Sequence, residues 1–276
     1  MLGLGCARGA GPGALGGSLS DEVIVLTVSY DGTDLSGFAR QPECDTVQGR
    51  LEAALETILR EPVETTGAGR TDAGVHALGQ VVTYAATGAE PDSRAFIRSL
   101  NALCGPEVIV TGVRRAPAGF SARFSAVGRE YRYRIVPGPV APLFLGRFAW
   151  WTPSALDLNA MREAAALLVG EHDFRSFCVT DSAVGKRTVR RIEAIEIAPT
   201  HEMGEHCIVV RIVGNGFLHS MVRIIVGSLV EVGRGKRSPE WIAEVLAACD
   251  RGVAGPTAPA LGLTLWHVDY AEECWL

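Results

Sequence analysis

Arg70 and Asp72 stand two residues apart among glycines and small side chains in GAGRTDAGVHALGQVVTY, Gly67 to Tyr84. Glycines at 67, 69 and 74 let the backbone approach a ligand closely and take positive φ angles. There Asp72 can serve as a nucleophile or general base. Taken alone, the triplet reads instead as a polar turn, since aspartate close to glycine often bonds its own backbone. A second candidate is Arg223 in GNGFLHSMVRIIVGSLVEVG, the only permanently charged residue between Phe217 and Val230. A buried guanidinium needs an anion. Its partner is either Asp72 or a phosphate, unless the side chain snorkels to the surface. His219 lies one helical turn earlier on the same predicted face. The third candidate is the strand-like SARFSAVGREYRYRI, where Tyr131, Tyr133 and Ile135 point one way and Arg132 and Arg134 the other. Interleaved aromatics and arginines suit base stacking with phosphate contact; the commoner alternative is an ordinary strand with tyrosines in the core and a solvated, charged outer face.

The elements that must hold these residues follow one pattern twice. Val23–Ser29 reads as a buried strand. From Thr46 a helix presents Val47, Leu51, Ala54, Leu55, Ile58 and Leu59 on one face, with Asp45 and Gln48 as a capping box and Pro62 as its stop. Val63–Thr66 and Gln80–Ala85 read as strands, Asp92–Cys104 as a helix and Val108–Val113 as a strand. The second half gives a strand at Arg129–Val136, a helix at Asp157–Val169 and strands at Val189–Ile197 and Cys207–Val213. An apolar helix at Phe217–Val232, a helix capped by Ser238 and a strand at Leu263–Val268 follow. The predicted fold is α+β: two related β-α-β-β-α-β (ferredoxin-like) lobes with largely antiparallel sheets around a central cleft. The predicted division is a disordered leader (1–20), an N-terminal lobe carrying the aspartate loop (21–117) and a C-terminal lobe (118–276).

Composition bounds the function. The chain has 276 residues, 47% of them hydrophobic, enough for a sizeable core. No apolar run reaches membrane-spanning length. A net charge of −5 argues against coating nucleic acid by bulk attraction, though a local basic cleft stays open. Lys186, Arg187, Arg190 and Arg191 form one basic cluster, and Arg234, Lys236 and Arg237 another. Seven scattered cysteines, without a CxxC pair, give no zinc site, and with no signal peptide they fit a reducing cytoplasm. No nucleotide-binding fingerprint or GxSxG elbow is present, so neither metal nor organic cofactor is expected.

Together the three segments resemble the TruA-type tRNA pseudouridine synthases. GAGRTDAGVHALGQV is similar to that family's aspartate loop, ARFSAVGREYRYRI to its tyrosine strand and GNGFLHSMVRIIVGSL to its arginine helix. Shorter echoes occur at Tyr30-Asp31-Gly32, Thr46-Val47-Gln48 and GPTAPALGL, and the likeness runs from Val23 to Tyr270. The resemblance implies a cytoplasmic, cofactor-free homodimer that converts uridine to pseudouridine at tRNA positions 38, 39 and 40 in the anticodon stem-loop. Its partner is tRNA, with no role for DNA or membrane. The resemblance also makes Asp72 the catalytic carboxylate, pairs it with Arg223, stacks Tyr131 on the target base and has Arg70 open the cleft or position the target. Phe38 and Ala39 depart from the family, which commonly has tryptophan and a polar residue there. The competing expectations are a non-catalytic tRNA-binding module or chaperone, and a small-molecule enzyme using Asp72 as nucleophile.

Overall fold

In the computed structural model, which describes residues 22–180 and 184–275, the apolar runs become the strands of one ten-stranded sheet. The expected leader, residues 1–20, lies outside the described residues. The first half runs β1 (Val23–Tyr30), α1 (Val47–Leu59), β2 (Thr66–Gly67), β3 (His76–Ala85), α2 (Ser93–Cys104) and β4 (Val108–Ala116). The second opens with β5 (Ala126–Pro137), β6 (Trp150–Thr152), α3 (Leu158–Ala166) and β7 (Gly170–Asp173). It continues with β8 (Val189–Glu202), β9 (Glu205–Gly214), α4 (Met221–Gly233), α5 (Trp241–Ala248) and β10 (Leu263–Tyr270).

The strand order is β4-β1-β3-β10-β5-β9-β8-β7, with β2 on β3 and β6 on β5. Every pairing is antiparallel except β10 with β3 and β6 with β5. This is a mixed α+β architecture with a mostly antiparallel sheet. The two halves of the chain meet where β10 lies parallel to β3, at Thr264 opposite His76 and Leu265 opposite Ala77. One contiguous apolar core spans both halves, from Leu26 and Phe96 to Tyr133, Ile225 and Leu229.

Local chemistry moves several predicted boundaries. The cap of α1 is Thr46, whose hydroxyl accepts from Gly49 N–H at 3.2 Å. Asp45 instead pairs with Arg50, and Gln48 turns inward to the Thr65 carbonyl, so the expected capping box does not form. Residues 63–65 stay outside the sheet, leaving β2 only two residues long. Helix α4 begins at Met221 rather than Phe217, because Ser220 takes a positive φ of 56°. Helix α5 likewise begins at Trp241, after a turn through Ser238 and Pro239.

Candidate active site

The aspartate loop is glycine-rich but firmly held from below. The Tyr30 hydroxyl lies 2.8 Å from Thr71 Oγ1, and Gln80 Nε2 donates to the Gly69 carbonyl at 2.8 Å. Phe38 N–H donates to the Thr71 carbonyl at 3.1 Å. Gly37 is needed at that approach: its φ is +95°, and a Cβ there would lie 2.9 Å from the same carbonyl. Val75 N–H closes a turn onto the Asp72 carbonyl at 3.2 Å, with Gly74 at φ +77°. The turn expected from the sequence therefore exists, but its hydrogen bond uses the backbone of Asp72 and leaves the carboxylate for other partners.

Those partners come from the far half of the chain. Arg223 Nη1 donates to Asp72 Oδ2 at 2.7 Å, and Ser220 Oγ donates to the same oxygen at 2.8 Å. His219 Nε2 lies 3.3 Å from Oδ1. Helix α4 is apolar nearly all round, with Met221, Val222, Ile224, Ile225, Val226 and Leu229 all buried. Its one guanidinium thus points along the helix start, where Nε donates to the Ala258 carbonyl at 2.8 Å and Nη1 reaches the carboxylate. The Ser220 hydroxyl makes no bond to the helix's own amides, because it is committed to Asp72. Holding a non-glycine residue at that φ costs roughly 1–2 kcal/mol. Carboxylate, guanidinium and the positive end of α4 meet within one small volume.

Tyr131 is buried beside this cluster, its ring edge-on to Phe217 with centroids 5.1 Å apart. Burial foremost, then the charges of Tyr30 and Asp72, push its phenol well above the ordinary tyrosine range. Arg70 is exposed and forms no ion pair or hydrogen bond with the described residues. Of the four predicted site residues, the structure brings Asp72, Arg223 and Tyr131 together and leaves Arg70 on the surface.

The arginines interleaved with the tyrosines are already engaged. Arg132 Nε pairs with Glu130 at 2.8 Å and stacks 3.8 Å from the Trp266 ring, and Arg134 Nε pairs with Glu202 at 2.7 Å. Both arginines thus have carboxylate partners, as in the ordinary-strand alternative. Lys236 and Arg234 likewise pair with Glu231. The cluster at 186–191 remains open, with Lys186, Arg187 and Arg191 exposed and without ion pairs among the described residues. Arg190 is held there by the carbonyls of Arg187 and Val189. Ser220 and Phe217 were not singled out by sequence reasoning, and His219 was assigned to a helix that starts after it. Among the described residues no group of three or more histidine, cysteine, aspartate or glutamate side chains is placed to hold a metal ion.

The sequence profile described as tRNA pseudouridine synthase matches residues 26–109 and 164–271. This chain belongs to that family. It is 47% identical over 244 residues to tRNA pseudouridine synthase A of Brevibacillus brevis, covering 88% of this chain and 97% of the relative. The enzyme of the same name from Geobacillus kaustophilus is 44% identical over 91% of this chain and 95% of its own. That of Geobacter sulfurreducens is 44% identical over 90% of this chain and its own full length. The solved archaeal box H/ACA Nop10–Cbf5 complex is far looser, with 14% identity over 75% of this chain and 44% of that one and a TM-score of 0.32.

For this family member, Asp72 and Arg223 fall inside the matched segments and Tyr131 falls between them. Phe38 has a packing role. Phe38 is buried under the aspartate loop with its ring against Gly67, where any Cβ would collide with it. It supports the loop from within the core.

Proposed function

We propose that Asp72 is the catalytic carboxylate of an enzyme isomerising uridine to pseudouridine in tRNA, at positions 38, 39 and 40 of the anticodon stem-loop. The observation that carries this reading is the Asp72–Arg223 pair, 2.7 Å long and joining residues 151 apart in the chain. Binding alone would not require a carboxylate held at the start of a buried helix by two donors, with His219 beside it. The reaction is redox-neutral: the N1–C1′ bond breaks and a C5–C1′ bond forms. C5 then gives up its proton to solvent, and N1 takes one. Asp72 acts on the sugar, by attack at C1′ or by removing a sugar proton, and Arg223 and Ser220 fix its Oδ2. Tyr131 offers a ring against which the detached uracil is held. Arg70, exposed beside the loop, positions the nucleotide once it has left the helical stack.

This reading takes 21–117 and 118–276 as two copies of one β-α-β-β-α-β unit. It rests on the pairing order β4-β1-β3, with β2 also on β3, matched by β10-β5-β9-β8. It also includes a cytoplasmic homodimer, for which Val140, Leu143 and Phe144 offer exposed apolar surface.

Release of tritium from unmodified tRNA labelled at uridine C5 tests the reading. Pure, folded protein is expected to release it, and Asp72→Asn to abolish release while tRNA binding persists. Full turnover by the variant would remove Asp72 from its role. Binding without release by the wild type would favour a non-catalytic tRNA-binding module.

A further inference from the structure

Phe124, in the segment joining β4 to β5, is the most exposed large apolar side chain among the described residues, at 82%. A lone exposed aromatic is ordinary. This one differs because its loop is fixed. Ser125 N–H donates to the Ser121 carbonyl and Ser121 N–H to Ser125 Oγ, both at 3.0 Å. The Tyr270 hydroxyl donates to the Ala122 carbonyl at 2.6 Å, and Ala122 N–H reaches Thr83 Oγ1 at 3.3 Å. A rigid loop that leaves a phenyl ring in water holds that ring ready for a ligand at little entropic cost.

Arg129 ties the same loop to the candidate active site. Its Nη2 donates to the Arg123 carbonyl at 2.8 Å and to the Ala68 carbonyl at 3.3 Å, two residues before Arg70. Its Nη1 donates to the Asn215 carbonyl at 2.8 Å, in the turn that leads to Phe217 and His219. One guanidinium thus fixes the loop of Phe124, the aspartate loop and the turn before α4 in relation to each other. Arg123 is exposed, forms no ion pair with the described residues and lies with Cζ 5.5 Å from the Phe124 ring.

We infer that Phe124 and Arg123 form a second nucleobase site, stacking a base of the tRNA substrate near the target uridine while Arg123 faces the adjoining phosphate. The inference rests on the tRNA reading above and deepens it. A protein partner would need a contiguous apolar patch, whereas the Phe124 ring has the Arg123 guanidinium beside it and polar Ser121 and Ser125 close by in the chain. An aromatic ring beside an unpaired guanidinium matches the π-face and charge of a nucleotide.

Steady-state tritium release from C5-labelled tRNA provides the test. Phe124→Ala is expected to raise KM about tenfold with kcat within about twofold, as loss of one stacked base predicts. Phe124→Trp should restore KM, and Phe124→Leu should not. Because the ring is exposed, all three variants should fold like the wild type. An unchanged KM in Phe124→Ala would overturn the proposal, as would full rescue by leucine. So would a lower oligomeric mass with KM unchanged, which would assign the ring to a protein interface. If the wild type releases no tritium, tRNA binding by Asp72→Asn and by the double variant with Phe124→Ala reads the site independently. The double variant should bind about tenfold more weakly, and equal binding would overturn the site.

Discussion

Ser220 holds a conformation unfavourable for its type, and its hydroxyl serves a carboxylate 148 residues away rather than its own helix. A hydrogen bond to a charged group typically contributes about 1.5–3 kcal/mol. Ser220→Ala is therefore expected to lower kcat about tenfold in the tritium-release assay, with KM and folding nearly unchanged, because Arg223 still holds the same oxygen. An unaltered kcat would show that Arg223 alone suffices to orient Asp72. At this scale composition marked Asp72 and Arg223 only as candidates, the first reading alone as a polar turn and the second as free to snorkel, and it was the resemblance of their motifs that paired them. Ser220 was not marked, since serine before a helix reads as an ordinary cap, and only the fold shows where its hydroxyl goes.

Helix α4 places Arg223 by packing against the segment 254–260. Ser228 Oγ accepts from Gly255 N–H at 3.0 Å, and Ala258 N–H donates to the Arg223 carbonyl at 3.1 Å. At Gly227 the helix passes so close to Pro256 that a Cβ would run into its carbonyl. Glycine in an exposed helix costs up to about 1 kcal/mol relative to alanine. Here the sign reverses: Gly227→Ala is expected to destabilise the protein by about 1–3 kcal/mol through overpacking. Displacing Arg223 should also lower turnover. Thermal melting alongside the activity assay checks both, and a stabilised variant would show that the helix shifts freely.

Most long elements could be read from period and capping. The exceptions share a cause, which is that tertiary contacts decided them. The apolar period runs through Phe217 and Leu218, yet Ser220 breaks the helix there to meet Asp72. Strand β7, with sequence GEHD, has no apolar pattern and exists only because β8 offers an edge.

Across the whole molecule, the seam between β3 and β10 carries a titratable group. His76 is buried with Nδ1 accepting from Gly32 N–H at 3.1 Å, Nε2 facing the Leu261 carbonyl at 3.1 Å and its ring against Phe148. Burial lowers its pKa below 6.5 despite Asp31 at 3.2 Å. Between that lowered value and 6.5 the unfolded chain binds a proton that the folded chain refuses, so stability falls as pH drops below about 6.5. Urea midpoints at pH 7.5 and 5.5 should differ less in His76→Gln than in the wild type. An equal difference would clear the seam of this pH dependence.

Strand β10 is the last of the ten strands in sequence, yet it lies between β3 and β5 in the middle of the sheet. Until it is in place, no strand pairing joins the two halves, and only side-chain and loop contacts such as Arg129 to Ala68 link them. A chain still emerging from the ribosome therefore carries Asp72, Tyr131 and Arg223 before the strand that pairs the two halves. Removing the segment from Leu263 onward would take away the strand that pairs the two halves while leaving Asp72, Tyr131 and Arg223 in the chain.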